Sequence, residues 1–141
     1  MASFNKINAF VENLAEGVHD LGSDTLKVML TNSAPLATNT VKANLTEISA
    51  GNGYTAGGTQ ATISASEQTS GTYKLTLTDV TFTATGGSIG PFRYVVLYND
   101  TPTSPTDPLI GWYDYGSSIT LATGETFTVD FDGSAGVLTL V

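Results

Sequence analysis

The residues best equipped for chemistry lie in one short stretch. His19 is the sequence's one histidine, and Asp20, Ser23 and Asp24 follow it closely. These are the residue types of a nucleophile, a general base and an orienting acid. A catalytic triad needs its nucleophile on a rigid elbow and its base held by a third group. Residues crowded into one helix-to-strand turn offer neither. Ser and Asp side chains capping a turn account for the cluster.

The other candidates weaken in the same way. Asp130-Phe131-Asp132-Gly133-Ser134 resembles the start of a calcium loop, but such a loop needs about 6–8 oxygens and an EF-hand Glu, and no Glu follows Asp132. The D-x-D spacing also arises wherever alternate residues of a strand face solvent. The glycine-rich segment 51–58 matches neither G-x-G-x-x-G nor G-x-x-x-x-G-K-[ST], and it reads as a flexible turn or contact loop. Glu67 and Glu125 have no partner that sequence can place at glycosidase distance. Asn44-Leu45-Thr46 and Asn99-Asp100-Thr101 fit the glycosylation pattern, which carries little without a signal peptide. Trp112, Tyr113 and Tyr115 offer an aromatic sugar platform or, more simply, alternating core and rim positions. The expectation is therefore no catalytic, cofactor-binding or metal-ligating set, and no enzyme.

The elements that would hold these residues are mostly strands. The chain has 141 residues, one domain's worth, and 40% of them are hydrophobic. Charged residues make up 13%, about half the usual share. Polarity comes instead from 23 Thr and 12 Ser, with 15 Gly, which favours strands and turns. Alternation marks Leu26-Val28-Leu30, Ala61-Ile63-Ala65, Tyr73-Leu75-Leu77, Val80-Phe82-Ala84 and Phe127-Val129-Phe131. The parity flips between Leu77 and Val80, so a bulge or sheet-switching bend is predicted at Thr78-Asp79. Phe92 to Tyr98 reads as a central strand, 99–108 as a proline-bearing surface loop, and Leu109 to Tyr115 as the next strand, with Ile119–Leu121 a short separate segment. Val137, Leu138 and Leu140 complete the set. The expected fold is all-β: a single domain over 1–141, an antiparallel, jelly-roll-like β-sandwich of about eight strands spanning about 25–141. One helical turn is expected among Leu45, Glu47 and Ile48.

The one helical period covers 4–16, with Ser3 as N-cap and Gly17 beyond the C-terminus. Its apolar stripe is Phe4, Ile7, Phe10 or Val11, and Leu14. A helix this short is marginal alone in water and must pack on something, either its own sandwich or a partner. The candidate partner-contact residues are Phe4, Ile7, Phe10, Val11, Leu14, Tyr54, Trp112 and Tyr113.

Charge narrows the partners. The net charge is −8, with 5 Lys and Arg in all, so no basic patch exists to neutralise phosphates. Neither nucleic acid nor an anionic membrane is an expected partner, and no apolar run approaches the ~20 residues of a membrane span. The absence of Cys removes disulfides, Cys zinc sites and Cys nucleophiles. The N-terminal Met1-Ala2-Ser3-Phe4-Asn5-Lys6 does not read as a secretory signal.

Two stretches, Phe10 to Val28 and Gly90 to Asp100, together with Leu109-Ile110-Gly111-Trp112-Tyr113-Asp114-Tyr115, resemble the small head proteins of tailed bacteriophages. Over most of its length the chain is similar to the capsid cement (decoration) proteins of short-tailed phages. The resemblance implies a jelly-roll fold, homodimers, and binding to the outside of a shell built of major capsid protein. It implies a location on the outer surface of the virion after synthesis in the host cytoplasm. It assigns no role to individual residues. A tail-fibre or carbohydrate-binding module, and a β-sandwich hydrolase or lyase, are the alternatives from other classes.

Overall fold

A computed structural model describes residues 2–141. Strand accounts for 46% and helix for 8%, so the Thr- and Gly-rich chain folds as antiparallel sheets with one short N-terminal helix. In chain order the elements are β1 (Asn5–Lys6), α1 (Asn8–Ala15), β2 (Leu26–Thr31), a single 3-10 turn (Lys42–Asn44), β3 (Thr59–Gln60), β4 (Ile63–Thr69), β5 (Thr72–Leu77), β6 (Val80–Thr83), β7 (Ile89–Asn99), β8 (Leu109–Leu121), β9 (Thr126–Val129) and β10 (Leu138–Leu140). They form sheets of order β1-β8-β7-β2-β3, β10-β5-β4 and β6-β9, which share one apolar core. The expected break before Ile119 is absent, and the segment continues β8.

The helix is shorter than the 4–16 its periodicity suggests. Asn5 and Lys6 pair with Trp112 and Gly111 of β8, so the chain enters as a strand. Ile7, not Ser3, holds the N-cap position, in extended conformation and without a side-chain cap. Apolar spacing cannot separate the two states here, because Phe4 and Ile7 bury equally well from a strand. Phe4 lies over Gly111, where a Cβ would stand 2.3 Å from its ring. The C-terminus follows expectation. Gly17 has φ +80, Gly17 N–H bonds Leu14 O at 3.3 Å, and Val18 N–H bonds Asn13 O at 2.8 Å, a Schellman closure.

β7 is central, as its apolar run predicts, flanked by β8 and β2. In β2 Met29 is as buried as Leu26, Val28 and Leu30, so both faces of this strand are covered rather than one. The sheet switch falls where parity flips. β5 ends at Leu77 in the three-stranded sheet, and β6 starts at Val80 in the two-stranded one. Asp79 Oδ1 accepts the Phe131 N–H at 2.9 Å and ties the bend to the segment beyond β9.

Segment 32–58 differs most from expectation. Its helical turn falls at Lys42–Asn44, ahead of Leu45, Glu47 and Ile48, because Asn44 Oδ1 accepts the N–H groups of Thr40 and Val41 and winds the chain there. The glycine-rich stretch is exposed over Gly51–Gly53 and Thr55–Ala56 but is anchored at Tyr54 and Gly58. Gly51 and Tyr54 form a two-way bridge, and Gly58, at φ +81, lies so close to β2 that a Cβ would sit 1.8 Å from Val28 O. Glycine is required there by both conformation and space.

Gly58→Ala is therefore expected to cost about 3 kcal/mol or more, or to prevent folding. Gly71→Ala, also at positive φ but with nothing within 4 Å of the new Cβ, should cost about 1–2 kcal/mol. Urea midpoints of the two variants check the difference, and equal losses would refute the packing argument.

Candidate functional site

The His19 cluster is built around a residue far away in sequence. His19 is buried among the core and its ring stands 5.1 Å from that of Phe10. Asn99, at the end of β7 and fully buried, donates from Nδ2 both to Asp24 Oδ2 at 2.7 Å and to His19 Nδ1 at 3.0 Å. A donor at Nδ1 makes that nitrogen the acceptor and places the ring proton on Nε2, which has no hydrogen-bond partner among the described residues. Ser23 Oγ donates to Asp20 Oδ2 at 2.7 Å, not to the histidine. Asp20 Oδ1 accepts the Gly22 N–H, and Asp24 Oδ2 accepts the Asp20 N–H. The side chains cap the turn, as the sequence suggests, and do not align a nucleophile with a base. Burial pushes the imidazole down to about 4 despite the nearby Asp24 carboxylate. Ser23 and the Gly22 N–H hold the Asp20 carboxyl below its usual range.

A second polar node escaped sequence reasoning. Glu47, its side chain 16% exposed, accepts the Tyr54 hydroxyl at 3.0 Å and the Gly57 N–H at 2.6 Å, and pairs with Lys42 Nζ at 3.4 Å. The buried Tyr54 hydroxyl also accepts the Leu30 N–H of β2 at 3.1 Å, and the Tyr98 hydroxyl donates to Gly57 O at 2.6 Å. Burial, the largest influence, pushes both phenols well above their ordinary range. The one sequence signal was a Glu preceding a Tyr and two glycines.

The remaining acids have local duties. Asp132 Oδ1 accepts the N–H groups of Ala135 and Ser134, which hold its carboxyl below the usual range, and Asp130 takes no part in that turn. Glu125 Oε1 accepts the Ala122 N–H. Among the described residues no group of three or more His, Cys, Asp or Glu side chains could hold a metal ion.

The candidate contact residues divide by exposure. Ile7, Phe10 and Tyr54 are buried in the chain's own core and present no surface. Their apolar character reads as contact potential in a sequence, but the helix, β8 and the Glu47 node enclose them. Phe4, Leu14, Trp112 and Tyr113 are half-buried against that core, and Val11 is exposed. The aromatic triplet of β8 splits between faces. Tyr113 and Tyr115 line a groove of about 180 Å³ with Phe127, Thr128 and Asp130, over the buried Val95 and Val129. Trp112, one residue from Tyr113, does not line it. The Tyr115 and Phe127 rings stand 5.6 Å apart at 68°, and Tyr113 packs between Phe4 and Phe131. Burial pushes the Tyr113 phenol up to about 12. On the sheet surface Arg93 clasps Asp114 in a bidentate pair at 2.8 and 3.1 Å.

No protein-family model, curated protein or solved structure matches the chain.

Two outcomes follow from these nodes. The unfolded chain binds a proton at His19 below about pH 6.5, whereas the native state resists protonation until about 4. Stability from the neutral ring is complete above that upper value and declines as pH falls toward the lower one, by on the order of 3 kcal/mol. Urea midpoints measured across this window should slope less in His19→Gln than in the parent, and identical slopes would clear His19 of the effect. Glu47→Ala should cost about 2–3 kcal/mol by stranding the Gly57 N–H and Lys42, while Glu47→Gln, which keeps an acceptor, should lose about 1 kcal/mol. The same midpoints measure both.

Proposed function

We propose that this chain is a structural virion protein, a capsid cement or decoration protein that binds the outside of an assembled phage shell and stabilises it. In this reading the antiparallel sheets have jelly-roll connectivity, the working form is a homodimer, and the partner is the major capsid protein. The protein acts without catalysis, cofactor, nucleic acid or membrane.

The observation that supports it best concerns the three stretches that resemble phage head proteins. Phe10 to Val28, Gly90 to Asp100 and Leu109 to Tyr115 are scattered in sequence, yet they supply most of α1, part of β2, most of β7 and the first half of β8. Strands β8, β7 and β2 are consecutive neighbours in one sheet, and α1 packs on β8. The resemblance thus falls on one structural unit rather than on unconnected words.

The physical role suits such a scaffold. A protein that binds the assembled shell, and not its separate subunits, shifts the assembly equilibrium by mass action. Many copies on one particle multiply the effect. Neither step requires a reacting group.

Co-sedimentation with purified empty capsids should show saturable binding, and the bound shells should withstand a higher temperature before they disassemble. Lack of saturable binding, together with retention on a glycan array, would replace this reading with a carbohydrate-binding one.

A further inference from the structure

We propose that the groove between β8 and β9 receives a lysine side chain of a protein partner. Its walls are aromatic. Tyr115, 52% exposed, and Phe127 stand edge to face at 68° with their centroids 5.6 Å apart. Tyr113 adds a third ring, and the volume of about 180 Å³ accommodates one long side chain. Ring faces attract ammonium groups within about 6 Å, and more strongly where water is reduced.

The second feature is a carboxylate left uncommitted among the described residues. Asp20, Asp24, Asp79, Asp114 and Asp132 accept hydrogen bonds within the chain, and Asp100 pairs with Lys27. Asp130, exposed at the groove, has no hydrogen-bond or ion-pair partner among the described residues. A negative charge beside aromatic faces calls for a positive occupant, and a chain of net charge −8 draws such a partner from a distance.

Lysine fits the lining in detail. Its apolar stem can lie over Val95 and Val129 while the compact ammonium reaches Asp130. A neutral sugar would gain the stacking but leave the carboxylate without a counter-charge.

The proposal is independent of the capsid reading, because the isolated chain can bind lysine or fail to do so whatever capsids do. The test titrates the full chain with N-acetyl-lysine methylamide at low ionic strength and follows backbone and ring NMR shifts. Saturable shifts at Tyr113, Tyr115, Phe127 and Asp130 are expected, and the Nε-acetylated probe should produce none. Asp130→Asn should weaken binding about five-fold, and added salt should weaken it too. Both Asp130 and Tyr115 are exposed, so Asp130→Asn and Tyr115→Ala leave the core intact, and Leu36→Ala, also exposed, should bind like the parent. Equal shifts with the acetylated probe, shifts with methyl glucoside in place of lysine, or no saturable shift at the groove would each overturn the proposal.

Discussion

The outer edge of β2 must be closed, and the chain has little regular strand with which to close it. β2 is buried on both faces, so any unpaired N–H or C=O along its free side would carry the full cost of desolvation. The edge is sealed piecemeal. Ala61 N–H reaches Leu26 O, β3 pairs with Lys27 and Val28, and Ile48 N–H reaches Leu30 O. Glu47 bridges Thr31. The Leu30 N–H goes to the phenol oxygen of Tyr54, a side chain standing where a neighbouring strand would offer a carbonyl. That one substitution of phenol for backbone accounts for the burial of Tyr54 and for Glu47 holding its hydroxyl, while the pairing of Thr59 with Val28 brings Gly58 so close to β2 that glycine is needed there.

The Glu47 carboxylate carries more than one task as a result. It accepts hydrogen bonds from the Tyr54 hydroxyl and the Gly57 N–H and pairs with the Lys42 ammonium. A half-buried charge is tolerable when its lone pairs are filled in this way. Tyr98 completes the arrangement from β7 by donating to Gly57 O, so the irregular segment is tied to both central strands. His19 and Asn99 perform a similar service at the opposite end of the same strands. Asn99 joins the start of β2, through Asp24, to the turn that leaves α1.

How much of this was legible depended on whether the signal was local. The strands β2, β5, β6 and β9, the apolar run of β7 and the parity flip at Thr78-Asp79 are local features and were legible, although the buried Met29 covers the face of β2 that alternation leaves to solvent. The Schellman glycine at position 17 is equally local. The helix start was not legible, because the pairing of Asn5 and Lys6 with β8 decides it from more than a hundred residues away. Glycine content marks the turn at 51–58 but does not say which of its residues, here Tyr54 and Gly58, anchor it to the core. The Glu47–Tyr54 and His19–Asn99 bonds join residues that only the finished fold brings together. The aromatic triplet of β8 was legible in composition but not in grouping. Neighbours in a strand face opposite ways, so Tyr113 and Tyr115 share a groove that gains Phe127 from β9 and leaves Trp112 out.

The distribution of satisfied groups bears on what kind of partner the surface can take. A protein that recognises another by polar contacts must keep donors or acceptors uncommitted, since a group already bonded gains little from exchange. Much of the polar equipment here is used internally, including the Arg93–Asp114 and Lys27–Asp100 pairs on the sheet surface, whose exposure makes them weak contributors to stability. Their effect on the outside is to neutralise two of the chain's few cations, which leaves the chain's net charge of −8 without free Arg to offset it. Long-range attraction therefore favours a basic partner, while short-range selection falls to places where an uncommitted carboxylate adjoins a shaped apolar wall. Among the aspartates that hold no partner among the described residues, Asp130 is the one beside such a wall, and the rings that build it come from two different sheets. Any occupant of that groove touches β8 and β9 at once, so binding there would brace the junction between the five-stranded and two-stranded sheets as well as attach the partner.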